Sequence, residues 1–179
     1  TQADFAAKEY DLYHYDTGAR LRELIAEDKI PSENYNAGEL VNSDWILQLV
    51  KGDLRPLIEK TGVVLSGSPR TILEAFGDDE NDGIIDFLVD SYGRENLVII
   101  VLTISEEESL KRDLKRTDYR SDDKPEIIRK RYEKQYLNQV KHTIDEISNK
   151  GFQIFELDGM PDRETVFKSV KRILDEQFS

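Results

Sequence analysis

The chain has 179 residues, a net charge of −12 at pH 7 and no cysteine. This length suits one domain with a sizeable core. The acidic balance makes the chain a poor candidate for binding nucleic acid or an anionic membrane surface, and disulfides and thiolate metal sites are excluded. The longest apolar run, residues 97–102, is too short to cross a membrane. We therefore expect a cytoplasmic protein that binds neither nucleic acid nor membrane. A monomer is the expected oligomeric state, although none of these features bears on it.

The first ten residues predict an amphipathic helix with no capping residue before it, so the chain is expected to begin inside a helix. Residues 11–15 predict a short strand, and a helix follows Asp16-Thr17-Gly18. Because a helix N-terminus favours an anion, Thr17 and Arg22 are candidates to bind one. The alternative is a threonine cap and an arginine that faces solvent.

Residues 30–53 predict short helices, one of them capped by Asn42 or Ser43. A β-branched run at residues 63–65 then predicts a buried strand that ends in a Gly-Ser-Pro-Arg turn. The carboxyl ends of parallel strands open onto the ligand crevice, so Arg70 is expected where ligands bind. Gly67 allows another group to approach the backbone closely. The alternative for this stretch is an ordinary turn with a solvated arginine.

Residues 97–101 predict a strand that is covered on both faces. A capping box formed by Ser105 and Glu108 then opens a helix. From residue 111 to residue 131 the chain carries nine basic and five acidic residues. This local excess of positive charge favours a small, highly anionic ligand, since the planar fork of arginine suits phosphate. A helical surface covered by internal salt bridges explains the same residues equally well.

A long amphipathic helix is predicted over residues 128–147, followed by a strand at 152–157 and a closing helix. His14 and His142 have no partner at metal-ligand spacing and are expected to be structural. Strands and helices thus alternate along the whole chain. This alternation predicts an α/β fold of three layers, with a parallel sheet between helices on both faces.

Seven short motifs occur in a characteristic order. They are Thr1-Gln2-Ala3, Asp16-Thr17-Gly18 with Arg22, Ala37-Gly38-Glu39-Leu40-Val41, Gly67-Ser68-Pro69-Arg70-Thr71, Arg112 with Arg116, Arg120-Ser121-Asp122-Asp123 with Arg131, and Asp158-Gly159. In order and spacing they resemble the adenylate kinase family of nucleoside monophosphate kinases, over essentially the full chain. The resemblance implies a P-loop kinase fold in one domain, residues 1–179, with a monophosphate-binding helical part at 18–53 and a short lid at 116–124.

The resemblance also implies an activity, which is phosphoryl transfer from ATP with Mg²⁺ to a nucleoside monophosphate, giving two diphosphates. The implied monophosphate-binding residues are Thr17, Gly18, Arg22, Gly38, Glu39, Val41, Gly67, Arg70 and Glu74. The implied catalytic residues are Arg70, Arg116, Arg120 and Arg131. Arg112 and Arg116 would contact ATP, and Asp122 and Asp123 would brace a lid without structural zinc.

Several departures from the family pattern qualify these expectations. The family's first strand and glycine-rich phosphate loop, which precede its Thr-Gln, are expected to be missing, so that transfer by this chain is impaired. Ser66 stands where the family has an aspartate of the Mg²⁺ shell, Ser68 replaces an aromatic residue, and Glu74 replaces the amide that reads the base. AMP is the expected acceptor, with a CMP or GMP kinase as one alternative and a non-catalytic nucleotide-binding or interaction protein as another.

Overall fold

The computed structural model describes residues 1–31, 41–115 and 125–178. The helices in chain order are α1 Gln2–Tyr10, α2 Thr17–Ala26, α3 Ser43–Leu54, α4 Ile72–Phe76, α5 Ile84–Tyr92, α6 Glu106–Leu114, α7 Pro125–Lys130, α8 Lys141–Asn149 and α9 Arg163–Gln177. A 3₁₀ turn covers Arg94–Asn96, and a π-helical stretch, Arg131–Val140, joins α7 to α8. The strands are β1 Tyr13–Asp16, β2 Val63–Ser66, β3 Ile99–Thr103 and β4 Ile154–Asp158. No helix in these ranges has the length and apolar character that a membrane span requires.

The four described strands form two parallel pairs. In the first pair β1 lies beside β2, with Asp16 opposite Ser66 at the carboxyl ends. In the second pair β3 lies beside β4, with Thr103 opposite Asp158. Helices connect the strands of each pair, as parallel pairing requires. The predicted α/β class with parallel strands is therefore confirmed.

The core is built mainly from α3, which places Leu47, Val50 and Leu54 completely out of solvent. These side chains belong to one buried cluster with Tyr15 of β1 and Ile84 of α5. A second, smaller cluster joins Ala75, Ile85 and Ile147 and extends to side chains of β3 and β4. The helices α3, α4 and α5 therefore hold the β1–β2 pair, together with the turns that follow both strands.

The caps follow the local sequence chemistry, with one correction. Asn42 caps α3 and accepts from Trp45 N, as one of the two predicted caps. Ser105 caps α6 and accepts from Glu108 N. The cap of α2, however, is Asp16 rather than Thr17, since the Asp16 carboxylate accepts from Ala19 N at 2.9 Å. Thr17 is therefore the first helical residue, and it is not needed as a cap.

Two elements differ from their predicted form. The predicted helix over residues 128–147 contains the π-helical stretch, in which backbone bonds run from residue i to residue i+5 and so rotate the buried face. β3 was predicted to be covered on both faces, but its residues are only half-buried and Leu102 is 36% exposed. Each described strand has one paired neighbour, which accounts for this partial exposure.

Candidate functional site

The carboxyl ends of β1 and β2 lie side by side, and the turn after β2 packs on the start of α2. Ser68 donates a hydrogen bond from its hydroxyl to Thr17 Oγ1 at 2.9 Å. Gly67 has a φ of +85°, and a Cβ at this position would lie 3.5 Å from the amide nitrogen of Gly18 and 3.7 Å from that of Thr17. The first amides of a ten-residue helix therefore open onto this turn. Such amides are suited to an anion.

Arg22 bends back towards the same helix start. Its Nη1 lies 3.3 Å from the point that a Cβ on Gly18 would occupy, and Asp16 Oδ1 lies 3.2 Å from that point. A larger residue at position 18 would therefore press on both side chains. The glycine leaves space for an arginine and a carboxylate to lie side by side at the start of α2, next to its first amides.

Arg70, in the turn after β2, is held at three points by polar side chains. Its backbone N–H donates to Glu74 Oε2 at 2.7 Å, and its Nη1 donates to Gln135 Oε1 at 3.2 Å. Its carbonyl oxygen accepts from the Thr143 hydroxyl at 3.1 Å. Glu74 and Thr143 are each 2% exposed and Gln135 is 8% exposed. The arginine predicted to bind phosphate therefore has a fixed backbone and an oriented side chain.

Glu74 is a buried carboxylate in the first turn of α4. Burial raises the pKa of this carboxyl group above its ordinary value, although the hydrogen bond from Arg70 N and the charge of Arg70 act in the opposite direction. Thr71 caps α4 by accepting from Glu74 N at 3.2 Å, and its hydroxyl donates to Ser43 Oγ at 3.0 Å. The Glu74 carboxyl group is engaged by the Arg70 amide and by the side chains of Ser43 and Thr71.

His14 of β1 bridges Asp4 and Ser66. Its Nδ1 lies 2.8 Å from Asp4 Oδ1, and its Nε2 lies 2.7 Å from Ser66 Oγ. This arrangement agrees with the predicted structural role of the histidine. The Ser66 hydroxyl, in the position expected for a metal-shell carboxylate, is therefore engaged with an imidazole. In the described ranges no cluster of three or more histidine, aspartate or glutamate side chains could hold a metal ion.

Arg112 lies outside the corner formed by β1, β2 and α2. Its guanidinium donates to the carbonyl oxygens of Gly159 and Met160, each at 2.8 Å, and pairs with Glu108 at 2.7 Å. Arg112 thereby links α6 to the loop after β4. Its implied contact with ATP stays a prediction.

The structure brings together Thr17, Gly18, Arg22 and Gly67, and Arg70 follows Gly67 in the same turn. Val41 packs at the margin of the larger core cluster. Several predicted residues lie outside the described part of the chain: Gly38, Glu39, Arg116, Arg120, Asp122, Asp123 and the side chain of Arg131. Their roles stay predictions.

Sequence reasoning missed Gln135 and Thr143. Only the apolar face of residues 128–147 was read from the sequence, and these two polar residues lie beside it. A signal was present, because Gln135, Gln139 and Thr143 recur every four residues next to an apolar stripe. The row alone does not separate buried from exposed members, since Gln135 and Thr143 are buried and Gln139 is exposed.

Comparisons with known proteins give one family match and several adenylate kinases as relatives. A family described as "AAA domain" matches residues 1–129. The adenylate kinase of Parabacteroides distasonis is 30% identical over 98% of this chain and 90% of the relative. The adenylate kinases of Archaeoglobus fulgidus and Prochlorococcus marinus strain NATL2A are 27% and 28% identical, over 98% and 97% of this chain and 92% and 91% of their own lengths.

Proposed function

This chain belongs to the adenylate kinase family, and we propose that it transfers a phosphoryl group from ATP to a nucleoside monophosphate, giving two nucleoside diphosphates. AMP is the proposed acceptor. The observation that carries the proposal is the corner at the carboxyl ends of β1 and β2, where the first amides of α2, the Thr17 hydroxyl and Arg22 meet the turn that carries Arg70. These groups suit the phosphate of the acceptor.

Phosphoryl transfer needs little covalent help from a protein, but it needs close positioning and neutralisation of charge. Arg22 and Arg70 supply fixed positive charge, and their planar guanidinium groups can donate two hydrogen bonds to one phosphate. The α2 amides add donors that require no reorganisation during the reaction. In this proposal the corner holds the monophosphate while an oxygen of its phosphate attacks the terminal phosphorus of ATP. The bond between that phosphorus and the bridging oxygen breaks, and ADP leaves with the bridging oxygen.

The donor side of the proposal rests on the family resemblance. By that resemblance, Arg116, Arg120 and Arg131 are assigned to the transferring phosphoryl group, Arg112 to the ATP base and Arg116 also to ATP. Asp122 and Asp123 are assigned to bracing the lid that the resemblance implies at residues 116–124. Mg²⁺ arrives as part of the ATP substrate, since this ion is commonly held by substrate phosphates, water and few carboxylates.

Base selection is assigned to Glu74, and the base and sugar pocket is assigned to Gly38, Val41 and Gly67. A carboxylate accepts hydrogen bonds, so it favours the amino group of adenine or cytosine or the two donors of guanine. It repels the carbonyl oxygens of uracil. The order we propose is AMP first, CMP or GMP as the alternatives, and UMP as a poor acceptor.

The proposal is tested by incubating the chain with ATP, Mg²⁺ and each of the four monophosphates, with phosphorus NMR to identify the products. We expect ADP to form with AMP and very little diphosphate to form with UMP. Parallel calorimetric titrations measure monophosphate binding without turnover. Binding of AMP without formation of ADP would overturn the transfer and favour the non-catalytic alternative. Absence of both would overturn the proposed site as well.

We further propose that the protein acts as a cytoplasmic monomer. The lack of cysteine in the sequence supports the cytoplasmic setting. Light scattering coupled to size-exclusion chromatography tests the monomer directly, because a dimer would elute with twice the chain mass of 20.7 kDa.

A further inference from the structure

Two of the three contacts that hold Arg70 come from a distant part of the chain. Gln135 lies in the π-helical stretch and Thr143 lies in α8, 65 and 73 residues after Arg70. The Gln135 amide oxygen accepts from the guanidinium, while the Thr143 hydroxyl is shared between the carbonyl oxygens of Arg70 and Gln139. One helical run therefore fixes both the backbone and the side chain of a single arginine.

Gln135 and Thr143 are buried polar residues, and burying a polar group costs free energy unless it forms a hydrogen bond. A buried amide or hydroxyl is destabilising without a partner, and an apolar residue would pack in the same place without that requirement. A threonine in a helix often donates only to the carbonyl four residues earlier. Thr143 also reaches Arg70, and Gln135 meets the same residue at its other end. Helix packing alone does not require both polar side chains to converge on one arginine.

The chemistry of Gln135 fits the orientation of a phosphate-binding cation. An amide oxygen accepts from the guanidinium and fixes its direction without placing a negative charge there. A carboxylate in the same position would bind the guanidinium more strongly, but it would compete with a phosphate for the same donors. Glutamine thus orients the Arg70 guanidinium without adding a negative charge of its own.

We propose that Gln135 and Thr143 are positioning residues for Arg70, which direct its guanidinium at the phosphate of the acceptor. This inference rests on the proposed function, because it assumes that the corner binds a nucleoside monophosphate. The proposal also connects acceptor binding, through Arg70, with phosphoryl transfer, through Arg131. Gln135 follows Arg131 by four residues, so the same helical run carries a proposed catalytic arginine and the group that orients Arg70.

The test compares Gln135→Glu with Gln139→Glu, measured by calorimetric titration with AMP. Both variants add one negative charge to the same helical run, but Gln139 is exposed and its side chain does not contact Arg70 in any described bond. We expect Gln135→Glu to weaken AMP binding by about tenfold or more, as expected for loss of one charge-assisted hydrogen bond. Gln139→Glu should stay within about twofold of wild type, an effect expected for an exposed charge.

A second pair of variants keeps the test independent of the added charge. Thr143→Val removes the hydroxyl and preserves shape, and Thr143→Ser restores the hydroxyl. We expect Thr143→Val to raise KM for AMP with little change in KM for ATP, and Thr143→Ser to recover most of the loss. A general loss of structure would raise both KM values together, and urea unfolding confirms that each variant is folded.

The outcomes separate this inference from the proposed function. Equal AMP affinities for the two glutamate variants, or equal behaviour of Thr143→Val and Thr143→Ser, would overturn the positioning role and leave the kinase proposal intact. A wild-type chain that binds no AMP in the same titration would overturn the proposed function, and the positioning role with it.

Discussion

The hydroxyl of Tyr15 donates a hydrogen bond to Asp53 Oδ2 at 2.9 Å, and the same oxygen accepts from Arg20 Nε at 2.9 Å. Tyr15 is 4% exposed. Burial, followed by the Asp53 hydrogen bond, holds the pKa of the tyrosine hydroxyl well above its usual range. One carboxylate thus joins β1, α2 and α3, the three elements that support the phosphate corner.

Replacement of Asp53 by Ala should therefore destabilise the fold. The buried Tyr15 hydroxyl would lose its acceptor and Arg20 would lose its partner, with an expected decrease of about 1–3 kcal/mol in the free energy of unfolding. Urea titration followed by circular dichroism measures the change. A double-mutant cycle with Tyr15→Phe provides the control, because the effect of Asp53→Ala should shrink once no hydroxyl needs an acceptor. Equal effects in both backgrounds would show that the hydrogen bond contributes nothing.

Glu74 should make stability depend on pH. Its folded-state pKa lies above the unfolded value, so its contribution to stability is complete below the unfolded pKa of about 4.3 and is lost as the pH rises through the folded pKa. Glu74→Gln removes this dependence. We expect the stability of the variant relative to wild type to increase between pH 4 and pH 7, as measured by urea unfolding at intervals of one pH unit.

Glu80→Gln is the matched control for that experiment, since it makes the same chemical change at an exposed position of the loop before α5. Subtracting its pH profile corrects for the general effect of removing one carboxylate from an acidic chain. A Glu74→Gln profile that runs parallel to the control profile would contradict the effect of burial on this carboxyl group.

Much of the architecture could be predicted from periodicity and caps, because these features depend on neighbouring residues. The strand at residues 63–66, the Asn42 and Ser105 caps and the closing helix are of this kind. The partners of Arg70 could not be predicted in the same way. Gln135 and Thr143 reach it only after the chain has folded, and no local pattern specifies which buried polar groups will pair.

The N-cap of α2 shows a second limit of prediction from the sequence. Asp16 and Thr17 are both good capping residues, and sequence reasoning considered only the threonine. The structure uses Asp16, whose carboxylate accepts from Ala19 N. Thr17 is 2% exposed and accepts from Ser68 instead. The partner of Thr17 is 51 residues away in the chain, so no local pattern distinguished the two capping candidates.

Arg22 and Arg20 provide a matched pair for testing the phosphate corner. They are two residues apart on α2, but Arg20 pairs with Asp53 and Glu23, whereas Arg22 bends back towards Gly18. We expect Arg22→Met to raise KM for AMP by about tenfold or more, through loss of a charge-assisted bond to phosphate. Arg20→Met should lower stability in urea and leave KM for AMP nearly unchanged. A raised KM for AMP in Arg20→Met but not in Arg22→Met would show that Arg20, and not Arg22, binds the phosphate of AMP.

Two glycines should respond in opposite directions to the same substitution. A Cβ on Gly83 would lie 2.1 Å from the carbonyl oxygen of Ala75, so the backbone of α4 or α5 would have to move. A Cβ on Gly52, which is exposed in α3, meets no atom within 4 Å. Gly52→Ala should therefore raise the free energy of unfolding by about 0.5–1 kcal/mol, through better helix propensity.

Gly83→Ala should lower the free energy of unfolding by about 1–3 kcal/mol or more, because the added methyl group overpacks a contact between two backbones. Thermal and urea unfolding of both variants measure the difference under identical conditions. Since α4 carries Glu74, which accepts from Arg70 N, and α5 packs against α4, Gly83→Ala should also weaken AMP binding, while Gly52→Ala should not. A Gly83→Ala variant as stable as wild type would contradict the close approach of the α4 and α5 backbones at Ala75 and Gly83.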